Sequence, residues 1–234
     1  MEKSDLIFDE KLIRSKLVPF DSPSRFTIKD GFFTNSAVLF SIIPHDNKPY
    51  ELVLIHRTDR GHRHRGEMSF PGGKVDPTDK SLVETALREC EEEIGVPRAD
   101  IKILGCFDDF PTLTRYVITP VVGYFDKDQK LVKEEREVQE IIKVPIDFFV
   151  NKKSFRERAV DFGNKKFPVF YFNYKANNKN YTIWGATAFM IANFIQTIYG
   201  YNISKLNLMR FTTEEIRPLK DYIELRTKML NEKK

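Results

Sequence analysis

The chain has 234 residues, of which 41% are hydrophobic and 31% are charged, and its formal net charge is +4. This composition is typical of a globular protein with a core, and so mild a charge is not that of a dedicated nucleic-acid-binding protein. No apolar run approaches the roughly 20 residues of a membrane-spanning helix, and the N-terminus lacks the layout of a signal peptide. With two cysteines and no linker-like stretch, we expect a single domain over residues 1–234 and a cytoplasmic location.

Two predicted strands and a basic segment come first. Residues 36–43 and 51–56 are rich in aliphatic side chains, and the polar residues 46–49 between them predict a turn. Cationic side chains are then concentrated in a short segment: Arg57, Arg60, His62, Arg63, His64 and Arg65. Such a cluster beside an acidic helix favours contact with an anionic substrate, and a solvated loop is the alternative interpretation.

A glycine turn and a well-delimited helix follow. The segment Phe70–Gly73 predicts a turn whose bare backbone can approach a ligand or pack beneath a helix. Ser81, followed three residues later by Glu84, predicts a helix start with a capping box. Gly95 predicts the helix end, so the helix covers about residues 82–94.

Three carboxylates, Glu89, Glu92 and Glu93, are spaced to project from one face of this helix. The opposite face carries an apolar stripe: Val83, Ala86, Leu87, Cys90 and Ile94. On spacing alone, an ordinary solvated face is the alternative. However, clustered carboxylates without His or Cys suit hard cations, so with the glycine turn the sequence predicts a Mg²⁺ or Mn²⁺ site at these three residues. The apolar position of Cys90 disfavours a thiolate.

The remaining pattern alternates strands and helices, which indicates the α/β fold class. Strands are predicted at about 101–107, 116–125, 140–144, 167–174 and 180–183. A helix is predicted from Trp184 to Tyr199, and a last helical region begins near Thr212, with Pro218 near its first turn or at a kink. We expect Trp184 and the aromatic residues of 167–174 to be buried in the core rather than to form a base-stacking platform.

The segment Arg88–Val96 and the glycine turn ahead of it resemble the Nudix hydrolase signature. That signature has a Gly, then a Glu, then Arg-Glu, an apolar residue, any residue, Glu-Glu, any residue, Gly and an apolar residue. Counting forward from Gly73 places the first acidic position at Asp79, whereas counting back from Arg88 places it at Lys80. The intervening loop is therefore one residue longer than the general pattern.

The same extension occurs in the branch of that family that resembles coenzyme A diphosphatases. The further signature of the branch is approximated here at Arg57-Thr58, His64, Gly66 and Ser69–Gly73. The chain departs from it at Gly61-His62, where Leu or Met followed by Arg is usual, and at His56, where Thr is common. Other similar segments are 119–123, 137–138 leading to 144–145, and 184–188. The resemblance covers most of residues 33–200, and residues 1–30 and 201–234 lie outside it.

This resemblance implies a Nudix-type α/β/α sandwich with a mixed sheet and a catalytic loop-helix-loop. It implies Mg²⁺- or Mn²⁺-dependent hydrolysis of coenzyme A, or an acyl derivative, to 4′-phosphopantetheine (or its acyl form) and adenosine 3′,5′-bisphosphate. Candidate catalytic residues are Arg88, which orients a glutamate in the family, with Glu89, Glu92 and Glu137. The competitors of Glu137 are Glu134, Glu135 and Glu140. Candidate substrate-binding residues are Arg57, His64, Arg65, Gly72 and Gly73.

Two alternatives stay open for the function. Another Nudix substrate, such as ADP-ribose, a dinucleotide or a nucleoside triphosphate, would use the same predicted metal site on the helix at about residues 82–94. A noncatalytic nucleotide-binding regulator would typically lose helix carboxylates, and all three are present here. The expected partner is a small-molecule nucleotide, with no membrane and no nucleic acid, and a homodimer is compatible with the sequence.

Overall fold

The computed structural model describes residues 6–58, 66–162, 165–206 and 211–232. No helix in these ranges is long and apolar enough to cross a membrane. The described residues form these helices and strands in chain order: α1 (Glu10–Lys16), β1 (Thr34–Ile43), β2 (Glu51–Arg57), β3 (Met68–Ser69), β4 (Gly72–Lys74), α2 (Leu82–Ile94), β5 (Lys102–Cys106), β6 (Phe110–Pro111), β7 (Tyr116–Tyr124), β8 (Val138–Pro145), β9 (Phe155–Phe162), β10 (Lys165–Ala176), β11 (Lys179–Trp184), α3 (Gly185–Tyr199) and α4 (Thr213–Asn231).

The main sheet has eight strands and is mixed. Its path runs β3-β2-β1-β7-β5, with β4 also paired to β1, β6 to β7 and β8 to β2. Strands β1 and β7 are parallel, from Thr34 opposite Tyr116 to Ile42 opposite Tyr124. The other pairs in this sheet are antiparallel. The predicted mixed sheet is confirmed.

Both faces of this sheet are covered, which explains why β1 is buried almost continuously rather than at alternate residues. On one face, α2 packs through Ala86 and Cys90 against Leu39 and Val53. On the other face, α3 and a second sheet, ordered β11-β10-β9, share a larger cluster rich in aromatic residues: Phe40, Phe70, Phe170, Phe172, Phe189 and Phe194. The layers form the α/β/α sandwich that the resemblance implies.

Most predicted elements are present with ends shifted by a few residues, but helix α1, strand β9 and the short strands β3, β4 and β6 were not predicted. Helix α1 has only seven residues, and its start depends on Asp9, whose side chain accepts a hydrogen bond from the Leu12 N–H. Strand β9 carries the charged run Arg156–Arg158, which hides its alternation. Pro218 lies inside α4 without ending it.

The prediction that Trp184 lies in the core is wrong. Its side chain is 42% exposed and lies parallel to the ring of Tyr171 on the neighbouring strand, with 6.2 Å between ring centroids. Successive side chains of a strand point to opposite faces. Phe170 and Phe172 of β10 face the core, so Tyr171 and its cross-strand partner Trp184 face outward.

Candidate active site

Helix α2 has the predicted bounds because local signals define both of its ends. Ser81 Oγ accepts a hydrogen bond from the Glu84 N–H at 3.2 Å, and Gly95 adopts the left-handed conformation with φ 71°. The predicted capping box is incomplete, because the Glu84 carboxylate accepts from the Lys80 N–H rather than from that of Ser81. The helix that carries the carboxylates therefore begins and ends at fixed residues.

The three helix carboxylates differ strongly in exposure, a difference that the predicted shared face does not indicate. The side chains of Glu92, Glu89 and Glu93 are 55%, 15% and 2% exposed. Glu93 lies three residues after Cys90 and next to Ile94, both fully buried, so it lies at the edge of the packed face. Cys90 does face the core, as predicted, and burial raises the pKa of its thiol.

Glu93 is held by two donors from the main sheet. Its Oε1 accepts from Arg57 Nη1 at 3.1 Å, and its Oε2 accepts from the Gly72 N–H at 2.8 Å. Burial raises the pKa of Glu93 to about 8, although Arg57 and the Gly72 N–H lower it. The site therefore contains a buried carboxylate whose negative charge is only partly compensated.

The glycine pair fits closely against other backbone and side chains. A Cβ at Gly73 would lie 2.4 Å from Glu89 Oε1, and one at Gly72 would lie 2.4 Å from the Ala37 carbonyl oxygen. The predicted turn here is instead the short strand β4, in which Gly72 is opposite Val38 of β1. The absence of side chains allows α2 to approach the sheet. Contact of these glycines with a substrate stays a prediction.

Arg88 connects the helix carboxylates to the preceding loop. Its Nε and Nη2 donate to the two oxygens of Asp79 at 2.9 and 3.0 Å, and its Nη1 donates to Glu89 at 2.8 Å and Glu92 at 3.0 Å. Its Nη2 also donates to the Lys74 carbonyl. Arg88 is thus both the i,i+4 partner of Glu92 and a residue that orients Glu89.

Asp79 is the residue that sequence reasoning did not assign to the site. Counting forward from Gly73 indicated Asp79, whereas counting back from Arg88 indicated Lys80. In the structure, it is Asp79 that accepts hydrogen bonds from Arg88. Thr85 Oγ1 also donates to the Asp79 carboxylate, at 2.9 Å. Its hydrogen bonds with Arg88 hold the pKa of Asp79 well below its usual range.

Among the four candidate glutamates beyond the helix, Glu137 lies beside the helix carboxylates. Its Oε2 is 3.8 Å from Arg57 Nη2, and its negative charge contributes to the raised pKa of both Glu89 and Glu93. The competitors have other partners: Glu140 pairs with Lys179 and Tyr181, Glu135 with Lys133, and Glu134 with the backbone of Arg136 and Glu137. The catalytic role of Glu137 stays a prediction.

The predicted substrate-binding cluster is described only in part. Arg57 contacts the carboxylates of Glu93 and Glu137, so its guanidinium connects β2 to the site. The other members of the basic segment lie outside the described residues: Arg60, His62, Arg63, His64 and Arg65.

The site offers a set of donors for a divalent cation. This set consists of carboxylate oxygens, which suit Mg²⁺ and Mn²⁺. Burial raises the pKa of Glu89, and the charges of Glu92 and Glu137 add to this effect, so a cation would relieve repulsion. In the described part of the chain, no three His, Cys, Asp or Glu side chains are arranged as a metal-binding group. The carboxylate oxygens are thus chemically suitable for a divalent cation. In the structure, however, Glu89 and Glu92 are arranged around Arg88.

The α/β/α sandwich with an acidic helix behind the glycine strand β4 is the arrangement of a Nudix-type protein. The profile of the NUDIX domain matches residues 35–162, more than half of the chain, and the chain belongs to this family. It is 33% identical over 165 residues to the uncharacterized Nudix hydrolase NudL of Photorhabdus laumondii, covering 70% of this chain and 84% of that protein. It is 28% identical over 179 residues to the mitochondrial Nudix hydrolase 15 of Arabidopsis thaliana, covering 76% of this chain and 61% of that protein.

A solved structure of an Ap4A hydrolase from C. elegans is also similar, with a TM-score of 0.42 and 17% identity, over 48% of this chain and 80% of that one. As a member of the family, the chain is a Nudix hydrolase and hence an enzyme. Nudix hydrolases use divalent metal ions such as Mg²⁺ or Mn²⁺. The names of NudL and Nudix hydrolase 15 state no substrate, so the coenzyme A branch stays a prediction.

Proposed function

We propose that this enzyme hydrolyses the diphosphate bond of coenzyme A or an acyl-coenzyme A, releasing 4′-phosphopantetheine or its acyl form and adenosine 3′,5′-bisphosphate. The observation that carries the hydrolytic part is the Arg88 cluster, in which Asp79, Glu89 and Glu92 all contact one guanidinium. The substrate assignment depends on the resemblance of residues 57–73 to the coenzyme A diphosphatase signature.

Each site residue has a distinct role in this proposal. Glu89, Glu92 and Glu93 would hold Mg²⁺ or Mn²⁺, which supplies charge neutralisation for a diphosphate and acidifies water. Arg88 keeps Glu89 and Glu92 in place through its hydrogen bonds. Glu89 and Glu137 are the two candidates for the group that accepts the proton from the attacking water.

The basic segment at residues 57–65 provides the specificity in this proposal. Coenzyme A carries a 3′-phosphate that dephospho-coenzyme A lacks, and a cationic side chain would make a charge-assisted hydrogen bond to it. Such a contact corresponds to roughly ten- to a hundredfold in kcat/KM. The departures at His56, Gly61 and His62 from the coenzyme A signature keep a second candidate function open, a Nudix diphosphatase for ADP-ribose, dinucleotides or nucleoside triphosphates.

A substrate panel tests the proposal. We expect kcat/KM for coenzyme A to exceed that for dephospho-coenzyme A by about ten- to a hundredfold, because only coenzyme A offers the 3′-phosphate. Replacing His64 or Arg65 by Ala should collapse the ratio, while hydrolysis of dephospho-coenzyme A changes little. Equal wild-type rates on the two substrates would remove the 3′-phosphate role. Faster hydrolysis of ADP-ribose than of coenzyme A would favour the second candidate function.

A further inference from the structure

Glu137 is held beside the helix carboxylates by its backbone rather than by its side chain. The side chain is 58% exposed, and its ion-pair partner among the described residues, Arg57 Nη2, lies 3.8 Å from the Glu137 Oε2 atom. This separation is too long for a hydrogen bond. A side chain without such a bond is directed mainly by the peptide that carries it. The turn at residues 135–137 therefore determines where this candidate catalytic carboxylate points.

The segment ahead of this turn is anchored to the end of α2. The Glu134 N–H donates to the Glu93 carbonyl oxygen at 3.0 Å, and the Val132 N–H donates to the Ile94 carbonyl oxygen at 2.9 Å. Both acceptors belong to the last turn of the helix, where the carbonyl groups have no partner within the helix itself. The backbone of Glu134 is therefore fixed relative to the carboxylates of α2.

The side chain of Glu134 binds the N–H groups of the turn. Its Oε2 atom accepts from the Arg136 N–H at 2.9 Å and from the Glu137 N–H at 3.0 Å. The Glu137 N–H also donates to the Glu134 carbonyl oxygen at 3.3 Å. Hydrogen bonds to an ionised acceptor are roughly twice as strong as those between neutral groups. A carboxylate that binds two consecutive N–H groups thus favours one conformation of the turn.

Thr58 binds the carbonyl groups of the same turn from the end of β2. Its Oγ1 atom donates to the Arg136 carbonyl oxygen at 2.8 Å, and its N–H donates to the Glu137 carbonyl oxygen at 2.9 Å. Thr58 directly follows Arg57, which donates to the Glu93 carboxylate. The backbone of the turn is therefore connected to α2 through Glu134 and to β2 through Thr58.

We propose that Glu134 and Thr58 are positioning residues for the hydrolysis, and that together they hold the Glu137 carboxylate towards the carboxylates of α2. This inference rests on the proposed function, in which Glu137 is a candidate for the proton acceptor. Glu134 acts through the backbone of the turn and neither binds the metal nor accepts the proton. A displacement of about 1 Å can lower a rate by about a hundredfold. Loss of either contact therefore lowers kcat more than it changes KM.

Steady-state kinetics of Glu134 variants tests the first contact. Glu134→Ala removes the acceptor and lowers kcat by about tenfold or more, with KM within about threefold of wild type. Glu134→Gln keeps an acceptor oxygen for the two N–H groups and retains most of kcat, whereas the same substitution of a proton acceptor or a metal ligand would not. Glu135→Ala, which removes the neighbouring exposed carboxylate, is the matched control and stays near wild type.

Thr58 variants and a double-mutant cycle test whether both contacts act through Glu137. Thr58→Val removes the Oγ1 donor, keeps the N–H and lowers kcat, and Thr58→Ser restores it. In a Glu137→Gln background, neither Glu134→Ala nor Thr58→Val lowers kcat further, because the group that they position is already absent. Losses that simply add in this background would show a general structural role and would overturn the proposal.

Hydrogen exchange of the Arg136 and Glu137 amides, followed by NMR in metal-free protein, measures the Glu134 contact without any substrate. Both amides exchange about tenfold faster or more in Glu134→Ala than in wild type and in Glu134→Gln. Circular dichroism checks that each variant is folded.

The kinetics are measured with both coenzyme A and ADP-ribose. A wrong substrate assignment changes which of the two is hydrolysed but not the pattern among the variants, so the proposed function and this inference can fail separately. Equal loss of kcat in Glu134→Gln and Glu134→Ala, unchanged amide exchange in Glu134→Ala, or wild-type turnover of Glu137→Gln would each overturn the proposal.

Discussion

The two faces of the main sheet are covered in chemically opposite ways. The α2 face holds carboxylates close together, one of them buried at Glu93, and Arg57 and Arg88 compensate their charges. The α3 face holds stacked aromatic rings, such as Phe40 and Phe194 with 4.5 Å between centroids. One face is therefore stabilised mainly by packing, whereas the other retains unfavourable electrostatic interactions that a cation would relieve. We expect substitutions of the exposed α2 carboxylate Glu92 to affect activity far more than stability.

The largest expected effect follows from removing charge at Glu92. Glu92→Gln keeps the shape of the side chain but removes a proposed metal ligand, so kcat should fall by several orders of magnitude with the fold retained. Steady-state hydrolysis in saturating Mg²⁺ measures this effect. Glu91→Gln on the same helix, where Glu91 pairs with exposed Arg98, is the control and should stay near wild type. Near wild-type turnover of Glu92→Gln would contradict the metal assignment.

The second prediction concerns Asp79 and resolves the register of the loop. Asp79→Asn leaves Arg88 without its bidentate carboxylate, so we expect unfolding free energy to fall by about 1–3 kcal/mol. Activity should also fall, because Glu89 and Glu92 lose a positioned partner. Urea unfolding of the Asp79→Asn and Lys80→Ala variants compares their losses of unfolding free energy. A larger loss for Lys80→Ala would mean that the backward count identifies the functional position.

The third prediction tests the close approach of α2 to the sheet. Gly73→Ala places a Cβ against Glu89, and overpacking of this kind is unfavourable by about 1–3 kcal/mol. A lower melting temperature and a lower kcat are expected together, since the displaced group is a proposed catalytic carboxylate. Gly31→Ala provides the control, because a Cβ there meets nothing within 4 Å. Equal behaviour of the two variants would contradict the steric argument.

The last prediction is a gradual pH dependence of stability in metal-free protein. The pKa of Glu93 is about 8 in the folded state, above the ordinary value near 4.3. The folded protein therefore binds more protons between these values, and its stability falls as pH rises from about 5 to 8, by at most about 1.4 kcal/mol per pH unit. Denaturant unfolding in EDTA at several pH values should show this slope in wild type and its absence in Glu93→Gln. A slope that persists in the variant would assign it to another group.

Local signals predicted α2 well because both its ends depend on neighbouring residues, Ser81 and Gly95. The burial of Glu93 could not be predicted in the same way, because a helical projection does not show how deeply the helix packs into the sheet. The orientation of Trp184 depended on the alternation of β10 and β11, where a shift of one residue exchanges inside and outside. The partner of Arg88 could not be predicted because the preceding loop is one residue longer than the family pattern. The hydrogen bonds of Arg88 in the folded structure identify Asp79 rather than Lys80 as this partner.

The parallel pairing of β1 with β7 has a consequence for how the enzyme folds. Thr34 and Tyr116 are neighbours in the sheet, so the intervening chain, which includes β4 and α2, must close as one long loop. Such closure is entropically unfavourable, and chains dominated by distant contacts fold slowly. Helix α2 lies within this crossover. The donors to its Glu93 carboxylate, Arg57 and the Gly72 N–H, belong to strands β2 and β4 of the same crossover. Catalytic competence is therefore expected to appear late in refolding, together with this strand pair rather than with the helix alone.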